Sequence, residues 1–158
     1  MTDSANLLPF TLSDKRFALN INSVERVVRS VEITPLPKAP TIVLGIVNVA
    51  GRIIPVVNGR VRFGAQHRPL TVRDRFIIAK GSERTIALVA DAVSTVIEVP
   101  SEMMTYPDRI IPGIGHVEAV ARRGDSIIVV LTVEQILNYD ESKEFDAALA
   151  DFEKGVDV

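Results

Sequence analysis

The stretch Leu44-Gly-Ile-Val-Asn48-Val-Ala-Gly51-Arg-Ile-Ile-Pro55-Val-Val57 decides how the rest of the chain is read. Two β-branched runs, Ile46 to Val49 and Ile53 to Val57, flank Ala50-Gly51, a spacing that predicts two antiparallel strands joined at a tight turn and buried centrally in a sheet. Gly45 and Gly51 supply backbone freedom, and Asn48 tolerates a left-handed or side-chain-bonded turn. Pro55 cannot donate to a ladder and so marks an edge or a bulge.

Upstream, Met1 to Leu8 carries no pattern and is expected to be a frayed start. Phe10 to Leu12 and Arg16 to Ile21 alternate around Ser13-Asp14-Lys15, the pattern of a hairpin with one buried face. Asn22-Ser-Val-Glu25 has the form of a capping box, with Val24, Val27 and Val28 at helical spacing, and predicts a short helix. Pro35, Pro37 and Pro40 should keep Val31 to Pro40 extended across the surface. Downstream, Asn58-Gly59 is a strong hairpin signal, yet Asn58 can equally cap a helical turn that Gly64 closes.

The second half predicts strand after strand, at Arg75 to Ala79, Thr85 to Ala90, Val93 to Val99, Gly115 to Ala121 and Ser126 to Leu131. Short strands at roughly 8 to 12 residue spacing indicate barrels or a sandwich, not a parallel sheet. Thr132-Val-Glu-Gln135 is a second capping box, opening a brief helix through Leu137. Phe145, Ala148, Leu149 and Phe152 form a helical stripe with acids opposite, the mark of an amphipathic tail helix. The expected organisation is a single domain over residues 8–138 followed by an acidic tail over 139–158.

A chain of 158 residues with 47% hydrophobic and 24% charged residues fits one domain with a real core, or two small subdomains sharing one. No apolar run approaches the roughly 18 residues of a membrane span, and no export signal opens the chain. The absence of cysteine removes thiolate metal sites, disulfides and thiol nucleophiles, and is compatible with a cytoplasmic protein. The net charge of -2 hides an asymmetry. Arg52, Arg60, Arg62, Arg68, Arg73 and Arg75 face only Asp74 in their segment, whereas the residues after Asn138 are mainly acidic. Such blocks are usually solvated faces, and a basic patch meeting an acidic partner is the alternative.

Catalytic and metal chemistry find little support. His67 and His116 stand far apart with no ligand spacing around them. Ser126, His116 and Asp108 lack a nucleophile elbow, and Pro112-Gly-Ile-Gly115 lacks the third glycine of a dinucleotide site. Arg123-Gly-Asp125 reads as a hairpin tip. Asp91 is best explained as a side chain bonding turn amides. No catalytic residue, cofactor or metal is expected.

The spacing Gly45-x-x-Asn48-x-x-Gly51-x-x-x-Pro55 resembles the signature of the CheW family, coupling proteins that link chemoreceptors to the histidine kinase CheA. The resemblance runs from about Phe10 to Leu137 through Phe17-Ala-Leu-Asn-Ile-Asn-Ser-Val24-Glu-Arg-Val27, Ala87-Leu-Val-Ala-Asp91-Ala-Val93-Ser-Thr-Val96, Pro112-Gly-Ile-Gly115, Ile127-Ile-Val-Val-Leu131 and Glu134-Gln-Ile-Leu137. It implies a mainly β fold of two packed five-stranded SH3-like β-barrel subdomains with short helices and a C-terminal helix. It also implies a cytoplasmic, non-catalytic adaptor, with a groove for chemoreceptor cytoplasmic tips and a separate surface for the regulatory domain of CheA. Neither nucleic-acid binding nor membrane insertion is implied. The groove residues it points to are Val24, Val27, Gly45, Asn48, Gly51, Arg52, Val89 and Val96, and for the valines core packing is the competing reading.

Two departures stand out. Ala50 replaces an arginine that relatives associate with receptor contact, and Asn58-Gly59 replaces the Asp-Leu with which relatives open a helical turn, so the resemblance implies a helical turn there and not a hairpin. They suit a paralogue serving a pilus, gliding or other chemosensory array, or a divergent lineage. The alternative function is a barrel that binds nucleic acid through Arg52 to Arg75, although aromatic residues are only 5% and form no stacking platform.

Overall fold

The computed structural model describes residues 4–64, 66, 68–106 and 119–156. The strands are β1 (Ser4–Leu12), β2 (Lys15–Asn20), β3 (Val24–Arg29), β4 (Val43–Val49), β5 (Arg52–Val57), β6 (Arg75–Lys80), β7 (Thr85–Ala90), β8 (Ala92–Val93), β9 (Ile97–Pro100), β10 (Met104–Thr105), β11 (Ala119–Arg123) and β12 (Ser126–Leu131). Among the described residues three α-helices, α1 (Gly59–Phe63), α2 (Val133–Ile136) and α3 (Tyr139–Val156), punctuate and follow the strands.

The strands form two sheets. One has the order β10-β11-β12-β2-β1-β8, with β9 also paired to β1; the other has the order β3-β6-β7-β5-β4. Each encloses its own apolar interior. Leu7, Ala18, Ile97, Val99, Ala121, Ile128 and Val130 fill the first barrel. Val47, Ile54, Val56, Phe76, Ile78, Ala87 and Val89 fill the second. Between them lies a larger shared cluster that includes Phe10, Phe17, Phe63, Ile77, Leu88, Ile136 and Phe145. The fold is thus the pair of packed SH3-like barrels that the resemblance implies. The first sheet reaches seven strands because the short β8 and β9 both pair with β1 and the two-residue β10 adds to β11 at the other end of the order.

Local chemistry explains most element ends. The β4–β5 turn uses Ala50 at φ 52° and Gly51 at φ 85°, the paired left-handed conformations of a two-residue hairpin loop. Asn58 caps α1 by accepting from the Arg60 amide at 3.1 Å, and Gly64 closes it at φ 71°, so the hairpin signal of Asn58-Gly59 is overridden. The Thr132 capping box forms as read. A further one, which the sequence reading missed, joins Asn138 and Glu141 reciprocally and starts α3.

Other expectations are corrected. The N-terminus is ordered as β1 from Ser4, because Ser4 to Leu7 pair with β9. Residues Asn22 to Glu25 start no α-helix: a 3-10 turn over Ile21–Ser23, bonded by the Asn20 side chain, leads into β3. The valines there satisfy pairing with β6 instead of a helical face. β4 stands at the end of its sheet order, not in the middle, and Thr34 bridges to Ile46 along it. Val93 to Val99 splits into β8 and β9 around Ser94-Thr-Val96. His67, His116, Asp108 and Pro112-Gly-Ile-Gly115 lie outside the described residues.

Candidate functional site

The end of the β4–β5 hairpin is built by its own polar groups. Asn48 Oδ1 accepts from the Gly51 amide at 2.9 Å, which holds the turn from below. Gly45 sits where a Cβ would collide with the Thr34 carbonyl oxygen, so its lack of a side chain is what allows the Thr34 to Ile46 bridge. Arg52, at the turn's exit, forms a two-point ion pair with Glu25 of β3, with Nη2 at 2.6 Å. That hydrogen bond, helped by the Arg52 charge, holds the Glu25 carboxyl below its ordinary value against the opposing effect of burial. The pair ties the two ends of the second sheet order, β3 and the β4–β5 hairpin.

Where the barrels meet, an open cleft of ≈ 420 Å³ takes Leu8 of β1, Val27 of β3, and Ala92, Val93 and Ser94 as walls. Arg73, Arg75 and Asp91 stand around it. Val27 is 39% exposed, on the strand face opposite Val28, which packs inward.

Behind Asp91 lies a charged network that joins the barrels. Arg60 donates to Asp91 and to Ser13 Oγ, and Arg68 donates to both Asp91 and Asp74. Asp91 also accepts from the Ser13 amide at 2.7 Å, at the β1–β2 turn. The amide reading of Asp91 therefore holds, and the two guanidinium partners add to it. Burial pushes the Asp91 carboxyl up, but the Arg60 hydrogen bond, the Ser13 amide and the charges of Arg60 and Arg68 outweigh it and hold it low. Asp74 follows the same pattern through Arg68 and the Thr71 amide. The Arg68 guanidinium is driven up in turn, chiefly by its hydrogen bond to Asp74.

The arginines from Arg52 to Arg75 are consequently no free basic strip. Arg52, Arg60, Arg62 and Arg68 each face a carboxylate of this chain, Arg62 meeting Glu141 of α3. Arg84 meets Asp146, and Lys38 meets Asp151. The tail carboxylates Glu141, Asp146 and Asp151 each take one cation, and among the described residues only Arg73 and Arg75 of this segment meet no carboxylate, so most of the charge on which nucleic-acid binding would depend is already paired.

The structure separates the residues singled out from sequence into distinct places. Val27 lines the cleft. Gly45, Asn48, Gly51 and Arg52 shape and brace the hairpin. Val24 packs against the shared cluster and Val89 is buried inside the second barrel. Val96 is 48% exposed beyond β8. Sequence reasoning missed Arg60, Arg68 and Asp74 as a network and Arg73 and Arg75 as cleft residues. Only the crowding of arginines around Asp74 hinted at them, since the partners Ser13 and Asp91 are remote in sequence.

Among the described residues no cluster of His, Asp and Glu could hold a metal, and no helix is long and apolar enough to cross a membrane. The family sequence model for the CheW-like domain matches residues 6–141. Chemotaxis protein CheW of Treponema pallidum is 29% identical over 141 residues, 85% of this chain and 83% of that protein. Chemotaxis protein CheW of Rhizobium meliloti is 36% identical over 103 residues, 65% of this chain and 66% of that one. The crystal structure of scaffolding protein TtCheW from Thermoanaerobacter tengcongensis has a TM-score of 0.79 at 27% identity, covering 88% of this chain and 96% of that one. Paired barrels, a braced Gly-Asn-Gly hairpin and a match across nearly the whole described fold lead to one statement: the chain belongs to the family of CheW-like domains.

Proposed function

We propose that this protein is a non-catalytic adaptor that couples chemoreceptors to the histidine kinase CheA in chemotaxis-type signalling, acting in the cytoplasm beside receptor arrays. The single observation behind the reading is the family match over residues 6–141, with relatives named as chemotaxis and scaffolding proteins. The geometry suits contact-based work: an open cleft with apolar walls between two rigid barrels can accept side chains of a receptor tip, while other faces remain for the regulatory domain of CheA.

Within this proposal the groove set divides by role. Val27 and the exposed Val96 make contact, whereas Gly45, Asn48 and Gly51 hold the hairpin in shape. Arg52 braces the barrel through Glu25, and Val24 and Val89 support the wall from within. Arg52 is thus committed within the chain and does not simply replace the arginine that relatives carry at the position of Ala50.

The test is a pulldown of the full chain against receptor cytoplasmic fragments and CheA from the same genome. Val27→Glu should lose receptor capture and keep CheA capture with an unchanged melting temperature. Gly45 is a poorer probe, because any side chain there strikes backbone. Capture of neither protein by the unaltered chain ends the adaptor reading.

A further inference from the structure

Resting on the adaptor reading, in which the inter-barrel cleft takes a receptor segment, we infer that Arg73 and Arg75 select that segment through a carboxylate it carries beside its apolar anchors. Arg52, Arg60, Arg62, Arg68 and Arg84 are each neutralised by a carboxylate of this chain. Among the described residues Arg73 and Arg75 meet none, yet both stand at the cleft. Arg75 Nη1 donates to the Arg73 and Asp74 carbonyl oxygens at 2.9 and 3.1 Å, which anchors the guanidinium without cancelling its charge.

The two carboxylates close by cannot cancel it either. Asp74 is spent on Arg68, and Asp91 on Arg60 and Arg68. Counting these groups together leaves an excess of positive charge beside the apolar wall of Leu8, Val27 and Val93. A volume of ≈ 420 Å³ admits a few side chains, not a whole helix. The fitting partner lies across the cleft, inserts one or two apolar anchors and meets the arginines with an acid at the edge. Rim charges of this kind set association rate and salt dependence and reject partners that present like charge.

The experiment measures affinity of the full chain for a receptor cytoplasmic fragment and, separately, for CheA, at low and high salt. The double reversal Arg73→Glu with Arg75→Glu should weaken receptor binding about tenfold at low salt, with the gap narrowing as salt rises and CheA binding unchanged. Arg75→Lys keeps the charge and should bind close to the unaltered chain. A Glu→Lys change in the receptor segment should restore binding to Arg75→Glu. Equal receptor affinity for the unaltered and doubly reversed chains overturns the charge selection and leaves the adaptor intact. Failure of the unaltered chain to bind receptor and CheA removes both readings together. Salt-sensitive capture of a labelled RNA that depends on the same arginines, with receptor binding unmoved, overturns the inference in favour of a nucleic-acid partner.

Discussion

The second barrel takes every strand from one stretch of chain, β3 through β7, whereas the first joins the N-terminal β1–β2 hairpin to strands that follow Asp91. Its closing contact is parallel, β12 against β2, with Val129 opposite Phe17 and Leu131 opposite Leu19. Parallel pairing between remote segments gives no turn to read and forms only after a large loop has closed. The difference teaches that one fold repeated twice can be local in one copy and distributed in the other. Their stability is nonetheless pooled, because the largest apolar cluster belongs to both.

The sharpest way to break that comparison is Phe17→Ala. Phe17 lies 5.9 Å from the Phe10 ring centroid and 4.9 Å from that of Phe63, inside the shared cluster. Its truncation should cost about 3–5 kcal/mol. Urea unfolding followed by far-UV circular dichroism and by a probe in the second barrel should show one coincident transition. Two separated transitions would mean that the barrels stand independently.

Next comes the ion network that bridges them. Asp91→Asn strands the Arg60 guanidinium, whose side chain is 6% exposed, and should cost about 2–3 kcal/mol, less than a fully buried pair because Asp91 and Arg68 reach water. A pH series sharpens the point. With the Asp91 and Asp74 carboxyls held below their ordinary 3.8 in the fold, the unfolded chain binds more protons as acid is added. Their contribution is complete at pH values above the ordinary carboxyl range and is lost as pH falls through and below it. Denaturation at stepped pH should show a steeper acid decline for the unaltered protein than for Asp91→Asn; parallel curves would mean that the network adds nothing.

Gly45→Ala should cost about 1–3 kcal/mol through overpacking against backbone, and its effect should be local. Hydrogen exchange at the Thr34 and Ile46 amides should speed up more than at β1 and β2, and a uniform change would contradict the division into barrels. The smallest effect expected is a gain. Ala50 carries φ 52°, a conformation asparagine tolerates better than alanine, so Ala50→Asn should stabilise by about 0.5–1 kcal/mol, read as a rise in Tm.

Legibility in the sequence followed the same division. The β4–β5 hairpin could be read because turn residues and strand pattern sit side by side, and the Thr132 box because its two halves are three residues apart. Only the Phe10 to Leu12 end of β1 is legible, as half of a hairpin; Ser4 to Leu8 reads as a frayed end because its partner β9 is remote in sequence and it has no alternation of its own. Val24 to Val28 fits a helical stripe and a strand alike, and pairing with β6 decided the matter. The same holds for the site: Asn48 and Gly51 were visible as turn chemistry, but Arg60, Arg68 and Asp91 become one network only when three separate loops are brought together.

The parallel β2–β12 seam also orders events on the ribosome. A nascent chain can pair β3 through β7 once β7 has emerged, but β2 keeps an unpaired edge and Phe17 an unfinished shelter until Leu131 follows. During that interval the N-terminal hairpin is the part of the molecule most open to chaperones and to mispairing with neighbouring polypeptides. A stalled or shortened transcript that ends before β12 would therefore leave the shared cluster incomplete and β2 with an adhesive edge.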